Sequence, residues 1–222
     1  MSTNKIGVTI LMNEPVRKRG RPRVLDRDTG LDIAARLFWE RGYEGTSTAD
    51  LTKAMGINPP TLYSNFGSKE ELYRQALDFG IAQENSCRAD ILASDLPAYK
   101  ALSRYLYSIA DGDTQPDKPR GCMVSTAVLQ HAEENASVAK MTAALREASM
   151  QILKARFDRA VTEGELPAGT DTDTLARFYG AIIQGMSAQA CDGACNALLK
   201  RLIDVALTAW PGNRATASGN LA

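Results

Sequence analysis

Apolar residues recur every three or four positions along most of the chain, and no segment shows the strict alternation of a half-buried strand. The first such run, Asp28–Arg41, puts Leu31, Ala34, Ala35 and Phe38 on one stripe, supported by Leu37. A short helix follows. Ser47 caps it, Asp50 completes a capping box, Leu51, Ala54 and Met55 form its apolar face, and Gly56 ends it. Asn58 caps a third, very short helix, with Pro59 where a first-turn proline loses no hydrogen bond. Ser68 caps a fourth that runs through Leu72, Ala76 and Phe79 to about Leu92, with Glu70 and Glu71 at its positive dipole end. Further helices are predicted over Pro97–Ala110, Gly121–Ala132 and Ser137–Thr162, with a loop at Asp111–Pro119. The stripe of the longest is Val138, Met141, Leu145, Ala148, Ile152 and Ala155. After a turn at Gly164–Thr170, Asp171 or Thr172 caps a helix carrying Leu175, Phe178, Tyr179, Ile182, Ile183 and Met186. Asp192-Gly193 interrupts it, Ala194–Ala209 is the last helix, and Pro211 stops that one. The fold class is therefore all-α.

Composition narrows the function classes. The 222 residues suffice for one large or two modest domains. No apolar run approaches the ~18 residues of a transmembrane helix, and Ile6–Met12 is too short for a signal peptide, so a cytoplasmic protein with no membrane partner is expected. Cys87, Cys122, Cys191 and Cys195 have neither metal-ligand nor disulfide-framework spacing. There is no Gly-rich phosphate loop, no GxSxG and no HExxH, and a single histidine leaves little acid–base chemistry. An enzyme, a bound cofactor and a metal site are therefore not expected. Net charge is zero, but residues 1–75 carry 12 Lys and Arg against 9 Asp and Glu, a balance of +3. The opposite balance falls on the remainder, an asymmetry of the kind a DNA-facing module on a separate body would show.

That positive end holds the two short helices, Ser47–Phe66, joined by a turn containing Gly56. Such a pair is a helix-turn-helix, whose second helix can enter a major groove, or alternatively an αα-corner inside an ordinary helical domain. The flanks decide. The stretch AARLFWERGYEGTSTADLTKAMGINPPTLYSNFGSKEELY, within Asp28–Leu77, resembles the DNA-binding domain of TetR/AcrR-type transcriptional regulators. Pro60 stands where many relatives have Gly. Arg120-Gly121-Cys122-Met123-Val124 and Gln184-Gly185-Met186 resemble segments of one TetR subgroup. The resemblance implies a disordered basic arm at 1–23, a helix-turn-helix domain at 24–75, a ligand-binding and dimerisation domain at 76–211 and a disordered tail at 212–222. It further implies a homodimeric repressor, bound to a palindromic operator in double-stranded DNA and released by an unknown small-molecule effector. The alternative is an architectural A·T-rich DNA-binding protein without a ligand.

Candidate site residues follow. Asn58, Thr61, Tyr63, Ser64 and Asn65 are hydrogen-bonding residues of the recognition helix, with Ser47 and Thr48 at the start of the helix before it. In the family, the positions of Tyr63 and Lys69 contact phosphates. Arg19-Gly20-Arg21-Pro22-Arg23 resembles an AT-hook. Its Arg19, Arg21 and Arg23 suit a narrow minor groove, though a solvated basic tail has the same composition. By analogy Tyr105, Cys122, Met123, His131 and Tyr179 line the effector pocket, the alternative being that they fill the core. Cys122 is also a candidate redox or electrophile sensor if Arg120 lowers its pKa. Phe178, Ile182, Gly185, Met186, Leu198, Leu202 and Val205 form the expected dimer interface, where small and large residues interdigitate.

Overall fold

The structure, a computed structural model, describes residues 25–211, apart from the side chains at 84–87. The basic arm with Arg19, Arg21 and Arg23, the tail at 212–222 and the Cys87 side chain lie outside the described residues. Regular structure within that span is entirely helical: α1 Arg27–Arg41, α2 Thr48–Met55, α3 Pro59–Phe66, α4 Lys69–Ala93, α5 Ala98–Asp113, α6 Ala136–Thr162, α7 Thr172–Cys191 and α8 Asn196–Leu207. A 3₁₀ turn, Glu133–Asn135, leads into α6. No helix of the described residues is long and apolar enough to cross a membrane.

The helix starts are fixed by side chains that take up orphan backbone N–H groups. Asp26, Ser47, Asn58, Ser68 and Asp171 each accept from the backbone three residues on. The Ser47–Asp50 and Ser68–Glu71 pairs are reciprocal capping boxes. Gly56 ends α2 in the left-handed region, at φ 66°, where any other L residue is strained.

Two apolar clusters form the interior. In the N-terminal head, α1 to α4 enclose Leu31, Phe38, Leu51, Leu62, Phe66 and Leu72. Tyr73 stands edge-on to Phe38, with ring centres 4.8 Å apart, and 5.0 Å from Tyr43. This cluster does not end at residue 75. It continues through Ala76 and Leu77 and takes in Met123 and Val138 from the body. The body core lies among α5 to α8, around Leu102, Leu106, Phe157, Tyr179, Met186, Leu199 and Trp210. Helix α4 contributes to both, through Leu72 at one end and Leu92 at the other.

Three elements depart from the sequence pattern. Gly121–Ala132 is a chain of turns, not a helix. Gly121 has φ 76° and Val128 φ 41°, and Arg146 Nη1 donates to the Val124 and Ala127 carbonyls, which a helix would use internally. Helix α5 runs three residues beyond Ala110, because Asp113 is buried and accepts a 2.6 Å hydrogen bond from Ser187 Oγ. On α6 the predicted stripe is only half inside. Val138 is buried, but Ala148, Ile152 and Ala155 are exposed, and α6 instead buries Thr142, Leu153, Arg156, Phe157 and Ala160. Arg156 is tolerated there because it donates to Leu96 O at 2.7 Å and pairs with Glu165 at 3.5 Å.

Leu62 is fully buried and is the anchor that fixes α3 to the head. Leu62→Ala should cost roughly 2–5 kcal/mol. The expected result in denaturant titration is early loss of head structure, with the α5–α8 signal unfolding near its ordinary midpoint.

Candidate DNA-contact surface and an adjoining cavity

Helix α3 has eight residues and is held from one side by Leu62 and Phe66. Its open side presents Tyr63, 52% exposed, with Ser64 and Asn65, while Thr61 is half-buried. The Asn58 side-chain oxygen accepts from both the Thr61 N–H (2.9 Å) and its hydroxyl (2.7 Å), and Ser64 Oγ donates to Thr61 O at 3.0 Å. Asn58 and Thr61 are thus engaged in building the helix, and Tyr63 and Asn65 are the side chains that project. Ser47 is likewise engaged in its capping box, and Thr48 is half-buried next to it.

The far end of α3 is secured by residues that sequence reasoning missed. Arg27 Nη1 donates to Asn65 O at 2.7 Å and Nη2 to Gln75 Oε1 at 2.5 Å, and Gln75 Nε2 donates to Phe66 O at 2.9 Å. The Arg27 guanidinium also lies 5.5 Å from the Phe66 ring centre. These contacts satisfy two C-terminal carbonyls of a helix too short to be stable alone. The available signal was a cation in the first turn of α1, where the helix dipole disfavours it.

Lys69 presents the same anomaly at the start of α4. Its ammonium sits 4.3 Å from the Tyr43 ring centre. Burial lowers its pKa, opposed by the charge of Glu44. Glu44 in turn links head to body. Its Oε1 accepts from the Ala132 N–H at 2.9 Å and from Asn135 Nδ2 at 2.8 Å. Those two hydrogen bonds hold the Glu44 carboxyl below its ordinary value of 4.5. Ser137 Oγ donates to Glu70 at 3.1 Å, a second contact across the same boundary.

A cavity of about 230 Å³ lies where head meets body. Helix α1 lines it with Ala35, Arg36 and Trp39, α4 with Leu77 and Phe79, and α6 with Leu145, Arg146 and Leu153. Of the expected pocket residues, Tyr105, Cys122 and Met123 line it. His131 and Tyr179 do not. His131 is exposed beside the head. Tyr179 is fully buried in the body core, its hydroxyl pointing at Ala206 O, because its position on α7 faces α8. Arg120 does not activate Cys122. It donates through Nε to Ala190 O at 2.7 Å and through Nη2 to Ala194 O. Burial pushes the Cys122 thiol up, so it is not poised as a thiolate. No cluster of three or more potential metal ligands exists among the described residues.

On the outer face of α7 and α8, Phe178, Leu198 and Val205 are exposed, with Ile182, Gly185 and Leu202 half-buried beside them. Met186 does not belong to this face. It is fully buried, on the stripe of α7 that carries Leu175, Tyr179 and Ala190 into the body core.

Comparison with known proteins gives two family matches: bacterial regulatory proteins, tetR family, over residues 31–76, and the tetracyclin repressor-like C-terminal domain over residues 98–203. The HTH-type transcriptional repressor ComR of Escherichia coli (strain K12) is 37% identical over 199 residues, covering 88% of this chain and 93% of ComR. The repressor BdcR of the same organism is 30% identical over 177 residues, covering 80% and 85%. Among solved structures, a cysteine mutant of the TetR-family regulator CifR, complexed with 26-base-pair double-strand operator DNA, superposes with a TM-score of 0.83 at 40% identity. The match covers 86% of this chain and all of that one.

Two outcomes are expected, the first from the family position of Lys69 and the second from the Glu44 hydrogen bonds. Lys69→Ala should weaken DNA binding and lower the salt dependence by about one phosphate contact. Gel-shift titrations at several salt concentrations measure both. Because the Glu44 pKa is depressed in the folded protein, its linkage of head to body is complete above the ordinary carboxylate value and is lost as pH falls through the depressed one. The protection factor of the Ala132 amide, the unfolded-chain exchange rate divided by its own at the same pH, should therefore fall in acid in the wild type, whereas Glu44→Gln should show weaker protection at neutral pH and a flatter pH dependence.

Proposed function

The chain belongs to the TetR family of bacterial regulatory proteins and is a DNA-binding transcriptional regulator, not an enzyme; we propose that it is a repressor that holds a palindromic operator as a homodimer and is released by a small-molecule effector. The observation that carries the reading is the exposed apolar face of α7 and α8. Phe178, Leu198 and Val205 lie open on the protomer, 39, 41 and 71% exposed respectively. Large apolar side chains left open together with half-buried Ile182 and Leu202 are the kind of surface an interaction site uses. Pairing it with the same face of a second copy makes a four-helix bundle and a two-fold axis. Two heads related by that axis require an operator with the same symmetry, its half-sites about one helical turn, ~34–36 Å, or a multiple apart.

The head supplies the DNA contacts. Tyr63, Ser64 and Asn65 are open on α3, Asn58 caps it, Thr61 and Lys69 are half-buried beside them, and the basic arm with Arg19, Arg21 and Arg23 extends the contact into the minor groove. The operator complex of CifR, a relative at 40% identity, supports this mode of binding. The cavity against α1 is the effector site. A ligand there that favours a different head position lowers operator affinity, and by linkage the operator lowers ligand affinity by the same factor. An architectural role in bending A·T-rich DNA gives no reason for such a cavity. The site of action is the cytoplasm, where the operator is.

The test is Val205→Glu. Val205 is open on the protomer, so the change spares each subunit's core but puts an unpaired carboxylate into an interface of on the order of 2,000 Å². Sedimentation should give a folded monomer, and gel shifts should show reduced operator affinity although no DNA contact is altered. A folded dimer with full affinity would contradict the interface.

A further inference from the structure

We propose that the cavity between head and body takes a small organic acid, an apolar molecule with one carboxylate that Arg146 receives. This rests on the reading of the cavity as the effector site and adds the chemistry of the ligand. Leu77, Phe79, Ile109, Leu145 and Leu153 make most of the wall apolar, so the body of the ligand is apolar too. At about 230 Å³ the space is smaller than the ~300–1,000 Å³ pockets of drug-sized ligands, which points to a single ring or a short chain.

The polar part of the wall is dominated by donors. Arg36, Arg88, Lys118 and Arg146 line it, against the single carboxylate of Asp32. Asp32 is already paired with Arg36 at 3.0 Å. Arg146 is half-buried and spends Nη1 on two neutral acceptors, Val124 O at 3.2 Å and Ala127 O at 2.8 Å. No carboxylate among the described residues pairs with it. The Trp39 indole N–H, from another side of the same wall, has no acceptor among the described residues. A guanidinium in an apolar wall with only carbonyls for partners favours a ligand that brings charge as well as acceptor atoms, and a carboxylate matches its fork. A cationic ligand would meet like charge there.

The same side chain provides a route to the head. A carboxylate drawn onto Arg146 competes with the Val124 and Ala127 carbonyls that it ties down. The segment so loosened runs on to Ala132, whose N–H Glu44 of the head holds.

Calorimetric titration of the whole purified protein with benzoate, benzamide and benzylamine tests the charge, since the three share one apolar body. Benzoate should bind about tenfold or more tighter than benzamide, the range of one charge-assisted hydrogen bond, and benzylamine should be weakest. Arg146→Gln should reduce benzoate to the benzamide level, and Arg146→Lys, which keeps the charge, should retain part of the preference. Equal binding of benzoate and benzamide to the wild type, an unchanged preference in Arg146→Gln, or no binding by any of the three would overturn the proposal. Ala148→Trp separates the two levels of the argument, because Ala148 lines the cavity from an exposed position on α6. Loss of all binding in that variant, together with equal wild-type affinities for acid and amide, leaves the cavity as the site and removes only the acid preference. Undiminished benzoate binding in the filled variant removes the cavity itself.

Discussion

The head of this protein is packed into its body through a shared apolar cluster, and its orientation follows from that. The rings of Phe38, Tyr43 and Tyr73 pack against one another inside the head, and the cluster they belong to takes in Met123 and Val138 from the body. Side chains buried across a boundary resist small displacements, because close-packed interiors shift between discrete arrangements rather than deform smoothly. The Glu44 hydrogen bonds to Ala132 and Asn135 and the Ser137–Glu70 contact lie over the same junction. The head is thus oriented by residues 121–138 as well as by α4, and a cavity that abuts both α1 and residues 122–125 sits where occupation can act on that orientation.

This arrangement gives each part of the body a distinct task. The α5–α8 core, with Phe157 and Tyr179 at its centre, keeps the outer face of α7 and α8 in place. In the proposed dimer that face sets the relation between two protomers, while the junction sets the relation of each head to its own protomer. On that proposal, head-to-head spacing on DNA is the sum of two rigid connections, and the proposed effector acts on the second.

Much of this was legible in the sequence because it is local. Caps at Ser47, Asn58 and Ser68 and stops such as Gly56 mark helix ends through chemistry within three or four residues. Periodicity located the helices but not always their inner faces. Met186 shares α7 with Ile182 and Gly185 but turns into the core, and Tyr179 turns away from the cavity for the same reason. Gly121–Ala132 has the apolar content of a helix but is a run of turns, two of whose carbonyls are held by Arg146 from another element. The partners that anchor α3, Arg27 and Gln75, do not follow from local pattern for a related reason: the contacts join residues 38 and 9 positions apart, and the unfavourably placed Arg27 cation marks only one end of them. Cavities leave no periodic signal at all, so only Tyr105, Cys122 and Met123 among the proposed lining residues sit at this one.

If head spacing is fixed in this way, the operator must have one spacing. The direct measurement takes the palindrome selected by the protein from random DNA and compares its affinity with that of versions in which one or two base pairs are inserted at the centre. The account predicts a sharp loss of affinity for each insertion, because both heads cannot then reach their half-sites together. Affinity indifferent to the insertions would contradict it, since the heads would then be independently tethered and nothing bound in the cavity could act through their spacing.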